Sequence, residues 1–514
     1  MRTGDRPLLR KRQNRMSTEE FDVIVLGGGP GGSTLASFVA MKGHRVLLLE
    51  EAKFPRHQIG ESLLPATIHG VCAMLGLSQE IAEAGFPRKR GGTFRWGKSQ
   101  EPWTFAFTKD PTDPFGYAYQ VERDRFDEML LRNAAKKGVD VREQHSVTEL
   151  LHEDGRVVGV RFRDEAGIER TARAKFVGDS SGFRSRVSGL VGERVFSRFF
   201  QNVALYGYYE GAKRLPSPNE GNILCAAFRD GWFWYIPLSD TLTSVGAVVS
   251  REAAEAMKEG HEVALDKFIA ACPIIADYLA PAQRVTTGKY GEIRVRKDYS
   301  YCNTRFWAPG VALVGDAACF IDPVFSSGVH LATYSALLAA RSFNTRLRGE
   351  LDDERVFQEY EQRYRREFGN FYQFLMAFYD MNQDTDSYFW SARKIVSTEE
   401  RDNEAFIRLV AGRSQVDEPA FYEGAEFFDA REGFGRWMEQ TLNPEAVRSA
   451  NPRASQPPRR VAGGFDATDF MAGFTSEIAQ LQAQARLGER RGAEAPLEHG
   501  GLVPSRDGLE WEVT

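Results

Sequence analysis

Cysteine is scarce and unpaired in this sequence: Cys72, Cys225, Cys272, Cys302 and Cys319 are scattered, odd in number and never spaced as CxxC. Their pattern argues against a disulfide framework or a zinc site and leads us to expect reduced thiols in a cytoplasmic compartment. Long apolar runs are also missing, so no membrane span is expected. The basic stretch from Arg10 to Arg15 leads into no apolar export segment before the first strand-like run. There is no internal repeat. With a net charge of −5 the chain has no basic surplus to offer a nucleic acid, and neither a nucleic-acid nor a membrane partner is expected. What remains is 514 residues, 42% of them apolar, ample for two or three domains around a sizeable core.

The chain opens with the apolar run Phe21–Leu26, then Gly27-Gly28-Gly29-Pro30-Gly31-Gly32 and a helix-like segment from Ser33 to Met41. Strand, glycines and helix in this order form a dinucleotide fingerprint. Gly27 permits the tight turn, Gly29 lets a pyrophosphate approach the backbone, and Gly32 lets helix and strand pack closely. With Pro30 at the helix start, the phosphates sit at the positive end of the helix. A second strand, Arg45–Leu49, ends in Glu50, where an acidic side chain can accept hydrogen bonds from the adenosine ribose.

FAD rather than NAD is indicated further along. The strand-like Val311–Val314 runs into Gly315-Asp316-Ala317-Ala318, and an Asp ending a strand can hold ribityl hydroxyls. Ser326-Ser327-Gly328-Val329 then opens a long helical pattern whose first amides are free to face an anion or a ring. Phe176–Gly182 is a third strand ending in Asp and Gly, which a plain turn would also explain. No second glycine fingerprint appears for a nicotinamide cofactor. Together these elements resemble the FAD-dependent aromatic hydroxylase superfamily, implying an α/β, Rossmann-like FAD-binding domain with a β-sheet substrate domain and a helical C-terminal region.

Between the two halves of that fingerprint lies Trp232-Phe233-Trp234-Tyr235-Ile236-Pro237. On a strand, Trp232 and Trp234 share one face, and two aromatics in a half-buried strand are a bland possibility by themselves. Joined to the flavin motifs, and to Gly60–Pro65, Arg95-Trp96-Gly97 and Phe325–Gly328, the pair makes the chain resemble the flavin-dependent halogenases over about residues 20–440, in the branch acting on phenols and related rings.

That resemblance implies its own chemistry. Reduced FAD and oxygen give a C4a-hydroperoxide, a halide attacks it, and the hypohalous acid formed is guided to the substrate. Trp232 and Trp234 would bar the substrate ring from the flavin while leaving a small oxidant a path. Lys89 would be the catalytic lysine that polarises the oxidant or is itself halogenated, although Arg88-Lys89-Arg90 alone is a short basic run of the kind that lies on a solvated face. Ser327 and Gly328 would bind the halide through backbone amides. Arg123 would contact the flavin, the other reading being a helix-start ion pair with Asp124 or Asp127. Residues 55–65 would be the strap between flavin and halide sites, with His57 structural.

Phe325 stands where halogenases of free tryptophan carry Glu, which points to a phenol activated by its own oxygen. His330 reads as a packed helix histidine rather than a base, with Asp322 and Tyr334 open candidates. The expected activity is chlorination of a phenolic ring such as a tyrosyl unit, free or on a carrier protein, with FAD delivered reduced by a separate flavin reductase. A single-component hydroxylase or an isoprenoid reductase is the alternative. We expect the FAD-binding domain from 18–90, 115–195 and 285–345, the substrate-side sheet from 91–114 and 196–284, helices over 346–442, and a linker with a loose end over 443–514.

Overall fold

Strands buried on both faces need helices above and below, and the run Val23-Ile24-Val25 at zero exposure is such a strand. In the computed structural model, which describes residues 18–96, 102–107, 112–380 and 502–513, Glu19–Leu26 is central in a parallel array. Its neighbours are Val46–Glu50 on one side and Glu169–Asp179 on the other. Val311–Leu313 and Asp140–Glu143 extend the array outward, and the antiparallel Trp307–Ala308, Ser146–Glu153 and Arg156–Arg163 complete an eight-stranded sheet. The helices Pro30–Ala40 and Gly328–Arg348 pack on it and on each other. This is the expected α/β, Rossmann-like architecture.

A second, nine-stranded sheet is built on the long strand Arg194–Glu210, which pairs with Leu242–Val249 and with Arg294–Asn303. Gly231–Pro237 and Ile223–Phe228 follow, then Gly91–Arg95 and Trp103–Ala106. Alternation sorts its side chains: Trp232, Trp234 and Ile236 face the flavin-side core, while Phe233 and Tyr235 enter a separate core with Phe268 and Ile275. Strand Arg294–Asn303 lies in this sheet, whereas segment 285–345 was expected in the nucleotide fold. Its polar-apolar alternation is the same for either sheet, and only its long-range register with Arg194–Tyr206 decides.

The chain's end also departs from expectation. Residues 502–513, expected within a loose end, form a hairpin docked on the two long helices, Gly328–Arg348 and Asp353–Asp380. Trp511 is buried between Arg341 and Arg363, whose guanidinium carbons lie 5.0 and 5.1 Å from its ring, and its Nε1 donates to Ser342 Oγ at 3.0 Å. Desolvated cation–π contacts of this kind are worth about 2 kcal/mol each. Within the segment 346–442, expected to be helical, Asp353–Asp380 forms a helix. Residues 381–442, and 443–501 of the expected tail, lie outside the described residues. Among the described residues no helix is long and apolar enough to cross a membrane.

Candidate active site

The glycine turn shows why each glycine is there. Gly27 sits at φ +91°, and a Cβ on it would lie 2.6 Å from Ser180 O; a Cβ on Gly32 would lie 1.9 Å from Gly27 O. One position needs the left-handed backbone and the other the close helix approach. At Gly29 the space is open except for Arg56 Nη2 at 3.3 Å. Gly29 is also the N-cap of helix Pro30–Ala40 and offers no side chain to cap it, so the helix's first amides remain to be used. Glu50 accepts from Gly28 N at 2.6 Å and from Ala52 N at 2.7 Å, which aims the carboxylate into the site and engages both oxygens.

These residues line one end of a cavity of about 860 Å³ that continues past Arg56 and Ser180–Arg184 to Gly315 and Asp316, and then to Trp232, Trp234, Ser326 and Gly328. The open glycine cradle, the uncapped helix and a carboxylate at each end of the groove fit a dinucleotide flavin. Gly27, Gly29, Pro30, Glu50, Gly315 and Asp316 would hold FAD there; Gly32 supports the turn from behind.

Arg123 forms the ion pair that was the other reading: Nε and Nη2 donate to Asp127 Oδ1 and Oδ2 at 2.7 and 3.0 Å, while Asp124 pairs with Lys289. Its Nη1 also donates to Ile59 O at 2.6 Å, so it ties the strap to the cavity wall that it lines. Asp179 is spent locally, accepting from Ser181 N and Oγ at 3.0 and 2.6 Å and from Ser185 Oγ, as a turn requires.

Trp232 and Trp234 are 1% and 5% exposed, their rings 6.4 Å apart, and both face the cavity. Burying each indole stabilises the fold by about 3 kcal/mol. Trp234 Nε1 donates to Ser244 Oγ at 3.2 Å. Across the sheet Trp234 faces Gly246, where a Cβ would come within 2.2 Å of the indole. Gly246 therefore sets the indole's position, and its only sequence signal is a lone glycine in a strand.

Strand alternation resolves the basic run. Arg88 and Arg90 are exposed, whereas Lys89, opposite Ala118, points inward and is 2% exposed. Its Nζ donates to Leu63 O at 3.0 Å and to Ser326 Oγ at 3.2 Å, and stands 5.3 Å from the Phe107 ring centre. Burial lowers its pKa to about 7, so a free amine is populated at neutral pH. Ser326 is held at φ +60°, an uncommon backbone for serine. Its hydroxyl thus joins the cavity to the lysine, which lies behind the lining.

Ser327 is buried as the N-cap of helix Gly328–Arg348. Apart from its chain neighbours and the helix's own backbone, nothing among the described residues lies within 4 Å of a Cβ built on Gly328, so this helix start opens onto free space. Phe325 is buried against Phe94, with ring centres 6.3 Å apart. His330 is packed as expected, its Nε2 2.8 Å from Glu367 Oε1 and its ring stacked on Tyr334. Asp322 accepts from Val324 N and from Asn202 Nδ2, both at 3.1 Å, a structural arrangement.

The strap carries a group that the sequence reading passed over. Glu61 is 1% exposed and accepts from Tyr208 Oη at 2.9 Å, and Tyr208 Oη lies 2.8 Å from His57 Nε2. Burial raises the Glu61 pKa to about 7 and lowers that of His57 to about 4, so the imidazole is neutral. His57 thus has a bonding role, consistent with its structural reading. Only the Gly60-Glu61-Ser62 motif hinted at the carboxyl.

Comparison with known proteins places this geometry. The family profile for tryptophan halogenases matches residues 22–113 and 108–451. The tryptophan 2-halogenase of Chondromyces crocatus is 36% identical over 381 residues, 73% of this chain and 71% of the relative. Among solved structures, the myxobacterial chondrochloren halogenase CndH, a variant of the FAD-dependent halogenases, is 65% identical with a TM-score of 0.75, covering 96% of this chain and 100% of that one. The flavin-dependent halogenase CmlS is 30% identical with a TM-score of 0.71, covering 97% and 84%. The chain belongs to the tryptophan halogenase family and is a flavin-dependent halogenase, an enzyme using FAD with a halide as co-substrate.

Proposed function

We propose that this halogenase chlorinates a phenolic ring, such as a tyrosyl unit presented by a carrier protein, in the cytoplasm and in the service of natural-product assembly. The carrying observation is the placement of Lys89: a buried amine hydrogen-bonded to Ser326, beside the Ser327-Gly328 helix start and behind a cavity lined by Trp232 and Trp234. FAD when bound, delivered reduced by a separate flavin reductase as in the family generally, supplies the chemistry that converts a halide to hypohalous acid. The residues do the rest. Free amides at Ser327 and Gly328 hold the halide. The two indoles keep the aromatic substrate off the flavin, and Ser326 leads to Lys89, where the amine polarises the oxidant or takes up the halogen.

The name of the Chondromyces relative gives tryptophan, but among the described residues the site lacks what an indole would need. Phe325 packs apolar surface on Phe94, and Asp322 is spent on Asn202 and a backbone amide. An indole carbon would want a carboxylate to take up its proton, whereas a phenol is activated by its own oxygen. The test is product mass spectrometry with reduced FAD, chloride or bromide, and a panel of free tryptophan, free tyrosine, simple phenols and carrier-loaded tyrosine. Chlorinated carrier-bound tyrosine is the expected product. Chlorination of free tryptophan alone would reject the phenol, and efficient chlorination of free tyrosine with no gain on loading would reject the carrier.

A further inference from the structure

Cys302 and Cys319 face each other on neighbouring antiparallel strands, Arg294–Asn303 and Cys319–Phe320. The hydrogen bond from Asn303 N to Ala318 O, 2.9 Å, spans the positions flanking them, so the two cysteines form a non-hydrogen-bonded pair. Opposed residues of this kind have Cα atoms about 4.5 Å apart with side chains on one face, within the span a disulfide bridges. Both thiols are free and no more than 1% exposed. Cys72, Cys225 and Cys272 have no such partner across a strand: Cys225, for one, faces Trp234 and Phe94.

The pair stands just behind the flavin cavity. Cys319 lies between Asp316 and Phe320, both lining residues. Arg365 Nη1 donates to Cys302 Sγ at 3.2 Å, placing a cation against the sulfur. Burial raises both thiol pKa values, that of Cys302 to about 11, so the resting pair is the unreactive dithiol form. The pair is thus one wall away from the cavity in which a small neutral oxidant would be made.

We propose that Cys302 and Cys319 are an internal dithiol that closes to a disulfide on hypohalous acid escaping toward the cavity wall. One thiol sulfur attacks the halogen of HOX, forming an S–X bond as the O–X bond breaks and water leaves with the thiol proton. The second sulfur then displaces halide, forming the S–S bond and releasing a proton. Two thiols are oxidised by two electrons and the halogen is reduced to halide; an external thiol reductant restores the pair. The source of the oxidant rests on the function proposed above.

FAD-loaded enzyme is titrated with hypochlorous acid, alkylated, digested without reduction and analysed by mass spectrometry. The expected result is a linked peptide of Cys302 and Cys319, lighter by two hydrogens and reversed by dithiothreitol, with the free thiols falling from five by two. Single-cysteine sulfinic or sulfonic acids at these positions, or alkylation of both, would overturn the proposal. A second arm uses turnover with reduced FAD, oxygen and chloride but no phenol, with and without a hypohalous-acid scavenger. The linked peptide should accumulate only without scavenger. Trapped hypohalous acid without the linked peptide overturns the dithiol, whereas absence of hypohalous acid itself means that the functional reading has failed. Cys302→Ser, with FAD affinity checked for folding, should form no link, oxidise Cys319 further and lose activity after several-fold fewer turnovers.

Discussion

The two ends of the cavity are built on different principles. At the dinucleotide end, backbone does the work: Gly27 supplies a left-handed turn, Gly32 a close approach, and an uncapped helix offers its amides. At the lysine end, side chains do it: an amine, two indoles and a serine hydroxyl are held by segments distant in sequence. A backbone cradle accepts a cofactor shared by many enzymes, while a buried side-chain constellation selects what is done with it. The comparison predicts that damage to the first end removes cofactor binding and all that follows, whereas damage to the second leaves the flavin bound and misdirects its product.

The largest effect is expected at the glycine turn. Gly32→Ala places a Cβ 1.9 Å from Gly27 O, so FAD binding should be lost and stability should fall by roughly 3 kcal/mol. Flavin fluorescence titration and thermal unfolding measure both, and wild-type FAD affinity would show that this turn is not the cofactor seat. Next comes Gly246→Ala, whose Cβ would enter the Trp234 indole at 2.2 Å. FAD affinity should stay within about twofold while halogenated product per oxygen consumed falls on the order of tenfold. Equal losses of both would erase the distinction between the two ends.

A smaller effect is expected at the halide position. The Cβ of Gly328→Val meets nothing beyond its own helix among the described residues, so what it crowds is an anion at the helix start. The chloride needed for half-maximal rate should rise several-fold, and an unchanged chloride dependence would place the halide elsewhere. A last effect is on stability alone. Lys89 loses its proton near pH 7 when folded against 10.5 in its ordinary state. The unfolded chain therefore binds more protons between those values, and stability rises with pH across that window. Lys89→Met should flatten the rise and gain on the order of 2 kcal/mol at pH 7. Denaturant midpoints at pH 7 and pH 9.5 check this, and parallel pH dependence in both proteins would mean that the lysine is solvated.

The same contrast explains what could be read from the chain. The glycine turn, Glu50 and Asp316 lie in local motifs, and the fold class follows from them because strand, turn and helix are contiguous. The shared face of Trp232 and Trp234 follows from strand alternation alone. Lys89 is different: the basic run suggested solvent, and its burial depends on pairing with Ala118 and on Ser326, 237 positions away. Arg123's bond to Ile59 O, Gly246 beneath Trp234, the Glu61–Tyr208–His57 chain and the seat of Trp511 are likewise long-range contacts with no local signature.

In the proposed reading, making the oxidant and using it are separate tasks, the first done in the flavin cavity and the second at Lys89. It is tested most directly by Lys89→Ala supplied with reduced FAD, oxygen, chloride and a phenol that the wild type chlorinates. Hypohalous acid, trapped in solution by a chromogenic scavenger, is measured beside the aromatic product. Wild-type flavin oxidation and trapped hypohalous acid are expected, with chlorinated phenol lowered at least ~1,000-fold. Chlorination near the wild-type rate, or loss of flavin oxidation together with product, would contradict it.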